Sequence, residues 1–156
     1  MKKKLIKITI LLLTLLTFTS CQNKKELDEL YNFEFDDLKI IILNDIKFYT
    51  LDKEYDIDYG KEIVSLPLVI KNLKEESHHL SMFYYTIKSP NGIKLESKAQ
   101  YYNNSVDYAE NLKQNEEYTK YLYFTYENNG TYTLIFNNGS QKKEITINIK
   151  GLSENK

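Results

Sequence analysis

Few side chains in this sequence could do demanding chemistry, and they are quickly named. Cys21 is the single cysteine, His78 and His79 are the only histidines, and arginine is absent. A solitary thiol excludes an intramolecular disulfide framework and a cysteine-rich zinc site. Adjacent histidines on a strand point to opposite faces, so they cannot readily chelate one ion together, and no third ligand is implied nearby. They follow Lys74-Glu75-Glu76-Ser77, a polar turn, which makes a solvent-exposed loop their expected home. A serine hydrolase needs a base positioned beside its nucleophile. No Gly-x-Ser-x-Gly occurs, and the histidines have only Ser77 and Ser81 beside them. Without arginine the chain lacks the bidentate fork that reads phosphate and carboxylate, which argues against phosphoryl chemistry. These residue types point away from an enzyme, although carboxylate pairs assembled by folding stay open.

One carboxylate pattern stands out. Asp52, Glu54, Asp56 and Asp58 occupy every second position, so on a strand all four would share a face. Four close anions repel unless screened, and hard oxygen ligands make calcium the cation to consider. The spacing departs from the EF-hand loop: Gly60 falls one place late counted from Glu54, and no glutamate closes the loop in register. The plainer reading is a solvated edge or loop whose charges discourage strand-to-strand aggregation. We take that reading, with calcium as the alternative, and expect no cofactor.

The chain begins with Met1-Lys2-Lys3-Lys4 and Lys7, followed by an apolar and threonine run from Ile8 to Phe18. A helix of that length covers about 17 Å, short of the roughly 30 Å hydrocarbon core. A charged start, a short apolar run and small residues at its end read as a secretory signal peptide over residues 1–20. The ending Thr19-Ser20-Cys21 resembles the lipobox of bacterial lipoproteins, with Phe18 where leucine is usual. The resemblance implies cleavage after Ser20 and lipidation of the Cys21 thiol through a thioether. Two or more acyl chains anchor stably where one does not. Ordinary cleavage near Thr19 would instead release a soluble protein with one free thiol.

Removing the signal leaves 17 lysines against 22 acidic residues, a formal charge of −5. That acidity argues against a nucleic-acid or anionic-membrane binder, which needs a basic face. Residues 21–37 are rich in Lys, Glu, Asp and Asn. They read as the lipidated cysteine and a flexible tether, spanning about 20–25 Å as a coil, with Phe33 and Phe35 docking at its far end.

From Leu38 the pattern changes to short β-branched and aromatic runs divided by Asn, Gly and Pro. Lys39–Leu51 reads as a strand broken at Asn44-Asp45. In Ile63–Lys71, Val64, Leu66, Leu68 and Ile70 share a face, and Pro67 suggests a sheet edge or a bulge. Leu80–Lys88 is a third strand, with either Phe83, Tyr85 and Ile87 inward, which we favour, or Leu80, Met82 and Tyr84. Ser89-Pro90-Asn91-Gly92 is a turn signal that should join it to Ile93–Tyr102 as a hairpin. Tyr118–Tyr126 should place Leu122 and Phe124 in the core. Tyr132, Leu134 and Phe136 share a face in the next strand, and Asn137-Asn138-Gly139 turns it back into Lys143–Lys150, with Ile145, Ile147 and Ile149 inward. Short strands without a helical period argue for an all-β sandwich. The domain should cover residues 38–150, with a tail at 151–156.

The stretch from about Ile63 to Phe136 resembles the immunoglobulin-like domain of bacterial surface lipoproteins of unknown function. The resemblance rests on the strand ending in Lys71-Asn72, the Pro90-Asn91-Gly92 hairpin and the loop from Leu112 to Glu116. That family commonly carries Leu-x-Pro-Gly-Glu in the loop, where this chain has Leu112-Lys113-Gln114-Asn115-Glu116. Gly130-Thr131-Tyr132-Thr133-Leu134 is similar to a strand whose tyrosine caps a corner through a backbone hydrogen bond. The resemblance implies an immunoglobulin-like β-sandwich of about seven strands and no catalytic residues.

With 14 tyrosines, the chain has more aromatics than a small core can hold. If Leu122 and Phe124 face in, Tyr121 and Tyr123 face out, where tyrosine gives large contact area at low entropy cost. We favour cross-strand stabilisation of an exposed face as their role, with a protein or glycan contact surface as the sharper alternative. Asn103-Asn104-Ser105, Asn129-Gly130-Thr131 and Asn138-Gly139-Ser140 match the glycosylation sequon, in our reading a by-product of Asn-rich turns. The sequence therefore suggests a lipid-anchored extracytoplasmic interaction module whose partner is a protein or polysaccharide and not nucleic acid. A small-ligand, ion-binding or inhibitor lipoprotein is the runner-up, and an envelope hydrolase comes last.

Overall fold

The computed structural model describes residues 28–51, 57–80, 85–108 and 110–151. Eleven strands run through them: β1 Glu29–Phe35, β2 Leu38–Leu43, β3 Lys47–Thr50, β4 Glu62–Asn72, β5 His78–Leu80, β6 Tyr85–Lys88, β7 Lys94–Leu95, β8 Glu110–Leu112, β9 Glu117–Thr125, β10 Gly130–Asn137 and β11 Lys142–Ile149. The signal segment, Ser20, Cys21, and Asp52, Glu54 and Asp56 lie outside the described residues. No helix among the described residues is long and apolar enough to cross a membrane.

Two antiparallel sheets face each other, and a two-stranded ribbon, β5–β8, lies beside them. In the first sheet β4 pairs along Ile63–Lys71 with β9 on one side. On its other side it pairs with β2 at Leu68–Asn72 and with β3 at Glu62–Ser65. β2 and β3 are thus two halves of one bent strand, broken at Asn44–Ile46 where the sequence signals it. Pro67 does not mark an edge: β4 is the central strand. Its proline falls in the interval between the β2 and β3 registers, so the missing donor interrupts no pair there.

The second sheet runs β11-β10-β6-β7. Chain crossings from β9 to β10 and from β4 to β6 switch sheets, as in an immunoglobulin-like sandwich. The strand count exceeds the expected seven because a bent strand is split and short strands are added. Val64, Leu66, Leu68 and Ile70 from β4, Leu122 and Phe124 from β9, and Tyr132, Leu134, Phe136, Ile145, Ile147 and Ile149 from the second sheet share one buried core. Ile87 and the half-buried Tyr85 join them, but the expected strand Leu80–Lys88 is divided: Leu80 ends β5, paired with β8, while Tyr85–Lys88 is β6, paired with β10.

Three turns explain the corners. Tyr132 caps the β9–β10 corner: its hydroxyl donates to the Asn128 carbonyl at 3.0 Å and accepts from Glu127 N–H at 3.0 Å. The Ser89–Gly92 turn closes with Gly92 N–H donating to the Ser89 carbonyl at 2.9 Å. At Lys113–Glu116, Glu116 N–H donates to the Lys113 carbonyl, and Asn115 sits at φ 60, the left-handed conformation glycine would adopt. Asparagine tolerates that region better than most residues, so the turn survives without Pro-Gly. Asn72 of the Lys71-Asn72 pair is fully buried, its amide donating to the Glu76 and Leu112 carbonyls. It fastens the loop after β4 to β8.

Two segments depart from the expected boundaries. Glu29–Phe35, assigned to the flexible tether, is strand β1, paired antiparallel with β2 from Phe35↔Leu38 to Glu29↔Leu43. A two-residue turn joins them, with Asp36 and Asp37 at φ 52 and 56, as a tight hairpin with right-handed twist requires. Phe33 and Phe35 pack against Phe136 at 5.4 and 5.8 Å between ring centroids, which ties β1 to the opposite sheet. Only residues 22–28 separate Cys21 from the first strand. The expected strand Ile93–Tyr102 stops at Leu95, and Ala99–Tyr101 forms a 3-10 turn instead.

Candidate functional site

After β7 the chain leaves the second sheet at Glu96 and crosses to the first. Residues 96–108 form a strap along the free edge of β9. Lys98 N–H donates to the Tyr123 carbonyl at 2.8 Å, Val106 N–H donates to Tyr121 at 2.9 Å, and Tyr121 N–H donates to Asn104 at 3.2 Å. The strap thereby covers an edge that would otherwise invite pairing with another chain.

It also covers a face. Tyr121 and Tyr123 do lie opposite Leu122 and Phe124 on β9, but this side is not open to a partner at Tyr123, which is 3% exposed. Tyr102 from the strap stacks on Tyr123 at 3.9 Å between centroids, and Tyr121 lies 6.0 Å from it. The Tyr123 hydroxyl donates to Asn104 Oδ1 at 2.7 Å. Leu51, Ile63 and Tyr123 form a second small core beneath the strap, flanked by half-buried Tyr101, Tyr102 and Tyr121. The contact-surface expectation therefore fails for Tyr123, and Tyr121 retains only partial exposure.

Two polar nodes fasten the strap. At one, Asp58 (2% exposed) accepts from Lys98 Nζ (8% exposed) at 2.5 Å and from Lys61 Nζ at 2.9 Å. The hydrogen bond from Lys98, helped by Lys61, holds the Asp58 carboxyl below its ordinary 3.8. Asp58 is the one member of the carboxylate run among the described residues, and its carboxylate is engaged by two ammonium groups. Among the described residues, no cluster of three or more His, Cys, Asp or Glu side chains could hold a metal.

Asp107 makes the other node. The Tyr85 hydroxyl from β6 donates to both of its oxygens at 2.8 and 2.9 Å. Ser97 and Ser105 hydroxyls donate to Oδ2, the latter at 3.1 Å. Burial raises the Tyr85 phenol well above 10, so it stays protonated as a donor. Beside this node lies a cleft of about 450 Å³, lined by Tyr85, Thr86, Ile87, Lys94, Leu95, Glu96, Ser97 and Asp107. It exists because β7 pairs with β6 at only two positions, Ile87↔Leu95 and Lys88↔Lys94, before the chain turns away. The chemistry here is hydrogen bonding: Asp107 is surrounded by hydroxyl donors, and no imidazole is among the lining residues. Nothing in the sequence around Asp107 marked it, because two of its partners, Ser97 and Tyr85, lie 10 and 22 residues away.

The histidines are placed apart, as adjacent strand residues must be. His78 is buried with Nε2 3.6 Å from Asp36 Oδ2, whereas exposed His79 contacts Asn111 Oδ1 through Nδ1 at 2.8 Å. The expected loop is thus strand β5. Burial lowers the His78 imidazole below 6.5 by more than Asp36 raises it, so the contact is not an ion pair at neutral pH.

The fold and strap define an all-β, immunoglobulin-like sandwich with one roofed face. No family model matches the sequence, and no curated protein matches it. Solved structures match the fold. The yjhA protein from Bacillus subtilis aligns with a TM-score of 0.54 and 12% identity, over 77% of this chain and 96% of its own. A "putative lipoprotein (ycdA)" from the same species gives 0.58 and 13%, over 78% of this chain and 39% of the other. A functionally unknown protein from Listeria monocytogenes EGD-e gives 0.55 and 10%, over 79% and 82%. At these identities the likeness is one of fold.

Proposed function

We propose that the chain is a bacterial, lipid-anchored extracytoplasmic protein whose sandwich acts as a non-enzymatic interaction module. The observation that carries this reading is Thr19-Ser20-Cys21 at the end of a lysine-headed, short apolar segment, a few residues before the first strand. One protein of the same fold being described as a lipoprotein supports it. The intervening residues 22–28, even fully extended, reach at most roughly 25 Å. The sandwich is thereby kept close to the membrane surface, where its partner is a protein or a polysaccharide. Cells fed an alkyne-tagged palmitate should label the full chain and retain it in the membrane fraction. The Cys21→Ala variant should lose both label and retention. Label on the variant, or none on the parent, would overturn the anchor.

The cleft beside Asp107 favours a second reading, a lipoprotein that holds a small polar ligand. Lys94, Glu96 and Thr86 line it together with the apolar Leu95. A saturable thermal shift with a small polyol or amino acid, lost in Leu95→Lys, would favour this reading over a flat interaction module.

A further inference from the structure

Three Asn-Gly pairs sit in turns of this chain: Asn91-Gly92, Asn129-Gly130 and Asn138-Gly139. Such pairs carry a chemistry of their own. The glycine backbone nitrogen, having lost its proton to solvent, attacks the asparagine Cγ. The new N–Cγ bond closes a five-membered imide, and Nδ2 leaves as ammonia with the proton returned. Water then opens either carbonyl of the ring, giving aspartate or isoaspartate, so amide plus water becomes acid plus ammonia. The step needs a side-chain amide free to rotate onto the next nitrogen and a backbone able to leave its turn.

The three sites differ chiefly in how the amide is held, and we infer that Asn91 is this protein's site of spontaneous deamidation. Asn138 Oδ1 accepts from Gln141 N–H at 2.7 Å and from the Ser140 N–H and hydroxyl at 3.0 Å each, so its amide is held toward its own loop. That loop closes β10 on β11, which pair from Gly130↔Ile149 to Asn137↔Lys142. Asn129 Oδ1 accepts from the Tyr126 hydroxyl at 2.6 Å and from Gly151 N–H at 2.7 Å. Its glycine lies in the same ladder, and a Cβ built on Gly130 would stand 3.0 Å from Pro90, so that backbone has little room.

Asn91 is exposed at the tip of the β6–β7 hairpin. A Cβ built on Gly92 would meet nothing within 4 Å, as at Gly139, so what separates Asn91 from Asn138 is the three hydrogen bonds on the Asn138 amide oxygen. The turn is restrained by two backbone bonds, Gly92 N–H to the Ser89 carbonyl and Ser89 N–H to the Ile93 carbonyl, and by a longer bond from Ile93 N–H to Ser89 Oγ at 3.3 Å, none of them made by the Asn91 side chain. β7 contributes two residues at the sheet edge, and such short, solvent-facing edges open locally at low cost. The hairpin that borders the cleft therefore gains a negative charge with time, and an isoaspartate inserts an extra backbone carbon into its turn.

Peptide mapping by mass spectrometry on the purified full chain, aged at mildly alkaline pH, reads the three sites together. In the native protein, conversion at Asn91 should run about ten-fold ahead of Asn129 and Asn138, the scale of one net hydrogen bond. In denaturant the three rates should converge, because all three are Asn-Gly pairs freed of their folded-state hydrogen bonds. Tyr126→Phe should speed Asn129 several-fold relative to Asn91 by removing one grip on its amide. Native leadership by Asn129 or Asn138, an unchanged ranking in denaturant, or no response of Asn129 to Tyr126→Phe would each overturn the assignment.

Discussion

The two sheets of this sandwich present their outer faces differently. On the second sheet the outer face is bare: β11 alternates strictly between exposed and buried residues from Glu144 to Ile149. On the first sheet, β4 is buried on both sides from Ile63 to Ile70, and β9 keeps Tyr123 buried opposite the core. The difference is the strap at 96–108, which roofs one face with tyrosines and ion pairs and leaves the other to water. Strand alternation separates core from solvent only where one side is solvent. Under a roof it separates one core from another.

The sharpest test of that contrast is substitution on the two outer faces. Tyr123→Ala should lower folding stability by about 3 kcal/mol, as for a buried aromatic, measured by chemical denaturation. Thr131→Ala on the bare face should stay within about 0.5 kcal/mol. Equal small effects would mean that the strap is no more than a loop. A consequence is that Tyr123 cannot serve as a probe of partner binding, because its replacement disturbs the fold.

Next comes the ion pair. Lys98→Met should cost about 2 kcal/mol, below the usual penalty for breaking a buried pair, because Lys61 still faces Asp58. Restoring most of the loss by adding Asp58→Asn would identify the stranded carboxylate as the cause. No recovery in the double variant would assign the loss to packing of the lysine stem.

The smallest effects are in pH. His78 has its imidazole lowered, so the native state takes up its proton later than the unfolded chain. Stability from this group is present above 6.5 and falls as pH drops through that value. Asp58 follows the same sign at lower pH: its contribution is present above 3.8 and is lost as pH falls further. The urea midpoint should therefore decline in two stages on acidification. His78→Gln should remove the first stage and Lys98→Met should flatten the second.

Legibility in the sequence followed the same division. The β10–β11 hairpin, its inward isoleucines and the Tyr132 corner were readable because their partners lie within a few residues and their other face is water. The end of the tether misled: a polar composition hid the Tyr31, Phe33 and Phe35 alternation and the Asp36-Asp37 turn that make β1. Pro67 misled in the opposite sense, since a proline is excluded from a central strand only where the ladder needs its donor. Asp58 looked like part of a solvated acidic run, and only Lys98, forty residues away, makes it a buried anchor.

By itself the sequence determined the chain's β character, its main turns, one core face of each long strand, and the lipobox-like ending at Cys21. Those depend on local propensity, parity and short motifs, which act over a few residues. Only the tertiary structure decided that residues 96–108 fold back over β9, that Asp107 gathers Tyr85, Ser97 and Ser105, and that Tyr121 and Tyr123 lie beneath a roof. Such contacts join distant segments through hydrogen bonds and burial, and neither leaves a period in the sequence.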